Sequence, residues 1–222
     1  MPQVLYETIA DCTIPCHGGA MSVADLWDVA LNVDEYISSM TQNQGVFAAA
    51  IGATELTDQQ RRLFAGDPVW ILVFTEDFCG DSAQLIPPVA RLARESADVD
   101  LRILRRDDHR DIAANYLRKD GYQAIPVFIV FGADGGERGF VIERPQVAYS
   151  EMAAETSRFA SEHPEIEGVS RNYDRMPDET KAAVRANIER YRRTRTSEWV
   201  AALFDELEIA ARRATLTTAE SD

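Results

Sequence analysis

Long apolar runs are missing from this chain: no stretch in its 222 residues approaches the ~20 apolar positions that a membrane-spanning helix needs. Met1 to Ala10 carry neither the basic region nor the apolar segment of a secretory signal, so a cytoplasmic location is expected. Cysteine is scarce. Cys12, Cys16 and Cys79 are too few, and odd in number, for a disulfide scaffold, and in a reducing compartment all three are expected as thiols. Histidine is equally scarce. Cys12, Cys16 and His17 lie close together, but no second Cys/His pair exists to complete four zinc ligands, so neither a metal nor a cofactor is expected. Basic charge is in deficit, with 23 Lys+Arg against 37 Asp+Glu and a formal charge of −14. Such a surface repels phosphate backbones and anionic lipid, which argues against nucleic acid or a membrane as partner. Internal repeats, low-complexity segments, a glycine-rich phosphate loop and a Ser-His-Asp pattern are all absent.

What is present is a chain with 45% apolar residues, enough for one cored domain with additions or two small ones. Residues 1–20 carry turn formers (Pro15, Gly18, Gly19) and read as an irregular lead-in. Helical spacing follows in Val23–Leu31, in Val33–Met40 and near Val46–Ile51. Thr57 and Gln60 form a capping-box signal for a short helix reaching Phe64. Ala65-Gly66-Asp67-Pro68 then stops the helical segment.

The pattern changes at Val69. Val69–Phe74 and Pro126–Phe131 are continuous apolar runs of the kind that suits strands buried on both faces. A helix through Leu85, Val89 and Leu92 leads to a strand at Val99–Leu104. A helix from Asp107 or Asp108 is expected to contain Ile112, Ala113, Tyr116 and Leu117 and to close at Gly121. Ala133-Asp134-Gly135-Gly136 signals a hairpin, returning as a strand at Gly139–Ile142. Strand–helix–strand–helix–strand–hairpin–strand describes an open mixed α/β sheet covered by helices on both faces. Beyond Arg144-Pro145 the chain is helical again, from Ser150 to about Ser161, then from Asp178. Val184, Ile188, Tyr191, Trp199, Leu203 and Leu207 form one stripe, which could be internal or could join two copies in a homo-oligomer. Arg185, Arg190, Arg192, Arg193 and Arg195 on this run read as a solvated helix face, or as a docking patch for an acidic partner.

The chemistry-bearing stretch is Thr75-Glu76-Asp77-Phe78-Cys79-Gly80-Asp81-Ser82. Cys79 falls where a buried strand hands over to a helix, whose open first turn favours thiolate over thiol. Asp81 places negative charge nearby and opposes that effect. This turn resembles the active-site turn of thioredoxins. Two more landmarks agree: Pro87 inside the following helix, and Ala124-Ile125-Pro126 before the third strand, where thioredoxins carry a cis-proline beside the thiol. The resemblance, which covers residues ~68–143 and about a third of the chain, implies a thioredoxin-like α/β fold. Its parts would be a helical extension at 1–66, the core at 67–145 and a second helical extension at 146–222. Glu76 to Asp81, with Arg144-Pro145, is similar to a bacterial subgroup carrying a Glu-Asp-aromatic-Cys-Gly-Asp core.

By that resemblance Cys79 and Ser82 occupy the catalytic positions, while Phe78, Gly80, Asp81, Ile125 and Pro126 meet the substrate. Three departures alter the expected chemistry. Ser82 replaces the second cysteine, Val73 the buried acid six residues before the first, and Phe78 the tryptophan. A hydroxyl cannot resolve a mixed disulfide, so monothiol exchange with a protein or a low-molecular-weight thiol or disulfide remains. The alternative is a thioredoxin-fold binding module without a redox step. Cys12 or Cys16 would resolve Cys79 only if within disulfide reach. Glu76, Asp77 and Asp81 read either as tuning or partner-binding groups, or as turn and cap residues.

Overall fold

The computed structural model describes residues 13–14 and 21–213, with side chains from residue 25 onward. A two-residue antiparallel ladder, β1 (Thr13–Ile14) with β2 (Met21–Ser22), precedes four helices: α1 (Val23–Val29), α2 (Val33–Ser39), α3 (Gln44–Ala53) and α4 (Asp58–Arg61). Asn32 and Glu35 close a capping box on α2, and Thr57 and Gln60 close one on α4. Helix α4 ends at Arg61 rather than Phe64. Its last carbonyls are taken up by turn bonds from Arg62 and Leu63, and Gly66, at φ 79°, lets the chain reverse into the sheet.

The central strand β3 (Val69–Thr75) is buried at every residue, as its apolar run requires. Helix α5 (Gly80–Glu95) crosses to β4 (Val99–Arg105), which pairs parallel to β3. Beyond β4 the expected long helix is one turn only, α6 (Arg110–Ala113), after a 3₁₀ turn at Arg106–Asp108. The helical spacing of Tyr116 and Leu117 is overridden by distant contacts. Tyr116 folds into the sheet core and its hydroxyl meets the Glu137 carboxylate at 2.8 Å, while Leu117 bridges to Gln123 and stays exposed. Strand β5 (Val127–Gly132) then runs antiparallel to β3, and β6 (Glu137–Ile142) antiparallel to β5, giving the order β4-β3-β5-β6.

Alternation divides the core between two faces. On one, Trp70, Leu72, Phe74, Ile129 and Phe131 pack with Leu26, Trp27 and Tyr116; the Trp27 and Trp70 rings lie 5.0 Å apart. Ile71, Val73, Phe128 and Val130, of opposite parity, are fully buried, as are Leu85, Ile86 and Val89 of α5. The edge of β4 is partly closed by Leu31, which exchanges two backbone hydrogen bonds with Ile103. This is a mixed sheet with helices on its flanks and at both ends of the chain.

The C-terminal helices are α7 (Gln146–Glu162), α8 (Asp178–Thr194) and α9 (Thr196–Ala211). Helix α7 begins at Gln146, four residues before Ser150, because Pro145 supplies its N-cap in extended conformation. The single apolar stripe expected beyond Asp178 is interrupted at Arg195, so α8 and α9 are separate helices. By internal contacts the chain forms two compact units, residues 1–143 with 203–222, and Arg144–Ala202. The second unit is built on Phe159, Val169, Met176 and Val184, and its Glu155 carboxylate accepts from Asn187 at 2.6 Å and from Arg158. In the first unit, Leu203, Phe204 and Leu207 of α9 are buried, and Gly139 of β6 lies so close to Ala210 that an added Cβ would stand 3.2 Å from its methyl group. Trp199, Leu203 and Leu207 are each 0% exposed, so this part of the stripe lies inside the chain. Truncation in Leu207→Ala is expected to cost about 2–5 kcal/mol, the range for a buried leucine left as a cavity, read from urea unfolding.

Candidate functional site

Strand β3 ends at Thr75, and the turn Glu76–Phe78 delivers Cys79 as the N-cap of α5. The Cys79 N–H donates to the Glu76 carbonyl at 3.2 Å and its carbonyl accepts from the Ala83 N–H at 3.1 Å. Its side chain makes no cap bond. It points to the loop before β5, where Sγ lies 3.3 Å from the Ile125 carbonyl oxygen. The Ile125–Pro126 peptide is cis. Cys79 is partly exposed, Gly80 is exposed, and Phe78 beside them is 55% exposed although aromatic. Ile125 and Pro126 are buried. The fold therefore brings together Phe78, Cys79, Gly80, Ile125 and Pro126.

Asp81 and Ser82 sit differently. Both are buried in the first turn of α5. The Ser82 hydroxyl oxygen is 2.6 Å from that of Thr75, so it is held by the end of β3. Val73, two residues earlier on β3, is fully buried among apolar side chains. A pair of neutral hydroxyls thus lies behind the cysteine.

The two acids before Cys79 are structural. Glu76 is 6% exposed; its carboxylate accepts from the Asp107 N–H at 2.8 Å and pairs with Arg105 at 3.5 Å. Asp77 is 7% exposed and accepts three bonds from the α2–α3 linker: Thr41 N–H at 2.8 Å, Thr41 hydroxyl at 2.9 Å and Gln42 N–H at 3.3 Å. Asn43 returns a bond to the Asp77 carbonyl at 2.7 Å. Those donors, Thr41 N–H foremost, hold the Asp77 carboxyl below its ordinary range. Arg105 also donates to the Ser39 carbonyl and stands over the Tyr36 ring, whose phenol burial pushes up to about 12.

On the far side of the proline, Glu143 adopts a left-handed backbone, φ 65°, which is strained for a non-glycine residue. Two bonds hold it there: its N–H donates to the Pro126 carbonyl at 2.7 Å, and its carboxylate accepts from Arg118 at 2.7 Å. Thr41, Asn43, Arg105, Arg118 and Glu143 had no local signal in the sequence. Each makes its contact across at least 17 residues of chain.

Cys12, Cys16 and His17 lie outside the described residues. Among those described, no group of three His, Cys, Asp or Glu residues is placed to hold a metal, and no helix is long and apolar enough to cross a membrane. His109 is partly exposed at the start of α6, and His163, also partly exposed, lies against Glu165 and the Phe159 ring.

A carboxyl held below its unfolded value stabilises the fold above that value and loses its effect as pH falls through the folded one. Asp77→Ala is therefore expected to cost about 1–3 kcal/mol at neutral pH, the range for stranding buried donors. The gap to wild type should shrink as pH drops below the ordinary 3.8. Urea titrations at a series of pH values read both effects; a gap independent of pH would mean that Asp77 acts by packing alone.

A protein-family model described as thioredoxin matches residues 30–157, spanning α2, α3, the sheet and most of α7. Two solved structures share the fold. One is a protein of unknown function from Pseudomonas aeruginosa, 19% identical, covering 76% of this chain and 98% of its own, with a TM-score of 0.51. The other is an HIV epitope-scaffold, 15% identical, covering 86% and 97%, with a TM-score of 0.53. No curated protein matches the chain. With more than half its length under the family model, the chain belongs to the thioredoxin family.

Proposed function

We propose that the protein is a monothiol thiol–disulfide oxidoreductase, a member of the single-cysteine bacterial subgroup marked by Glu76 to Asp81. Cys79 is its nucleophile and an external thiol its resolving partner. The observation that carries this reading is the placement of Cys79 Sγ: partly exposed, at the start of α5, 3.3 Å from the Ile125 carbonyl that precedes the cis peptide. In the reaction the Cys79 thiolate attacks one sulfur of a substrate disulfide. A Cys79–sulfur bond forms, the substrate S–S bond breaks and the second sulfur leaves as a thiolate. A low-molecular-weight thiolate then attacks the substrate sulfur of the mixed disulfide and returns Cys79 as thiolate. That step leaves the substrate sulfur joined to the small thiol. A second small thiolate then attacks the small thiol's sulfur, releasing the substrate's second thiolate and a small-molecule disulfide, so two electrons pass from two small thiols to the substrate with no metal or cofactor in the steps. Ser82, held against Thr75, has no role in the second step. Phe78 and Gly80 would contact the substrate at the exposed rim, while Ile125, buried, would meet it through its backbone, with Pro126 setting the course of the loop behind them.

The same contact favours a second reading. A thiol that donates to the Ile125 carbonyl is already engaged within the fold, which suits a binding module with an idle cysteine. Incubation with oxidised glutathione, followed by intact-mass spectrometry, separates the two. The enzyme reading expects one glutathione per chain on Cys79, formed at least about tenfold faster than on free cysteine at the same pH. It also expects removal by reduced glutathione, no adduct at this position in Cys79→Ser, and wild-type rates in Ser82→Ala. An adduct formed no faster than on free cysteine would defeat it in favour of the binding module.

A further inference from the structure

The helical unit Arg144–Ala202 contains a half-open cleft of about 460 Å³, in the size range of small-molecule sites. Met176 and Val184, 6% and 4% exposed, belong to the core of the unit and form the apolar part of its lining with Met152 and Ile188. Thioethers and branched aliphatic side chains give an adaptable surface, with the Tyr173 ring and the Thr156 hydroxyl also in the lining. Three arginines line it as well: Arg171, and Arg185 and Arg192 on α8. One carboxylate, Glu189, opposes them. In a chain of formal charge −14 this is a local reversal of sign.

The arginines of α8 and of its C-cap, Arg195, divide by partner. Arg195 is bound by Glu151 at 2.8 Å and by Glu198 at 2.9 Å, and Arg190 donates to Asn187 at 3.2 Å. Arg185 has only a 3.4 Å bond to the Lys181 carbonyl, and Arg171 makes no side-chain hydrogen bond or ion pair among the described residues. Two exposed guanidiniums without carboxylate partners thus border an apolar floor. A guanidinium takes a carboxylate in two parallel bonds, and a positive rim rejects cationic head groups.

We propose that this cleft binds a medium-chain fatty acid, with the acyl chain on Met152, Met176, Val184 and Ile188 and the carboxylate met by Arg171 and Arg185. With three arginines in its lining the cleft is too charged for a neutral lipid. This site is independent of Cys79 and of the redox reading.

Isothermal titration of the full chain with decanoate tests it. Saturable binding of one decanoate per chain is expected, with decanol weaker by about tenfold and decylamine weaker still. The double variant Arg171→Ala/Arg185→Ala changes only exposed side chains, and its circular dichroism melt should match wild type. It should weaken decanoate by about tenfold while leaving decanol unchanged. Cys79→Ser should bind as wild type does, so failure of the redox reading leaves this result standing. Absence of saturable decanoate binding, equal affinity for decanol and decanoate, or indifference to the double variant would each overturn the proposal. So would binding of a polyglutamate peptide through the same two arginines with decanoate silent, which would assign the surface to an acidic protein.

Discussion

The carboxylate of Asp77 ties the cysteine-bearing turn to the rest of the molecule. A chain leaving a fully buried strand for a helix must turn within a few residues, and the backbone of such a turn needs partners. Here the partners come from a segment 34 to 36 residues earlier: Thr41 and Gln42 donate to the Asp77 side chain and Asn43 to its carbonyl. Glu76 does the same in the other direction, taking the Asp107 N–H and the Arg105 guanidinium at the end of β4. The N-terminal helices are therefore part of the site's frame. Their contribution lies in packing and hydrogen bonding: Tyr36 supports the Arg105 guanidinium from below, and Trp27 stacks on Trp70 on the other sheet face.

Within that frame the chemistry is pared down. A dithiol site needs a second sulfur one turn into the helix and a proton acceptor beneath it. This chain has a serine whose hydroxyl is spoken for by Thr75 and a valine sealed into the core. Those two changes agree with each other. With no thiol at position 82 there is no second proton to remove there, and a buried carboxylate at position 73 would cost desolvation without return. The exposed Phe78 and Gly80 keep the cysteine's rim open, so among the described residues the turn presents one partly exposed sulfur against the Ile125 carbonyl.

The parts of this arrangement that could be read from the sequence are those with a local cause. Val69–Phe74 and Val127–Phe131 announce buried strands by continuous apolar character, and Asp134-Gly135-Gly136 announces its hairpin by turn chemistry. Cys79, Gly80 and Pro126 were recognisable because a strand-to-helix turn and a proline before a strand leave marks in adjacent residues. Readings failed where a distant contact decided. Ile112, Ala113, Tyr116 and Leu117 carry a helical period, yet the helix is one turn because Tyr116 is drawn into the sheet core and to Glu137. The roles of Glu76 and Asp77 stayed undecided between partner binding and turn structure because their partners, Thr41, Asp107 and Arg105, cannot be inferred from neighbours in sequence.

The arginine-rich run of α8 and α9 shows the same limit from the side of charge. As a sequence it is one basic helical face, and its net effect in so acidic a chain looks like solvation. Structure breaks the run at Arg195 and gives each guanidinium a different fate. Arg195 is fixed by Glu151, which also takes the Trp199 indole N–H at 2.7 Å, so that arginine is a structural member of its unit. Arg185, on α8, borders an apolar hollow, and its weak bond to the Lys181 carbonyl is its sole side-chain hydrogen bond among the described residues. What distinguishes a structural cation from one open to a ligand is the element packed across from it, and that information is held in the tertiary fold rather than in the spacing of the arginines.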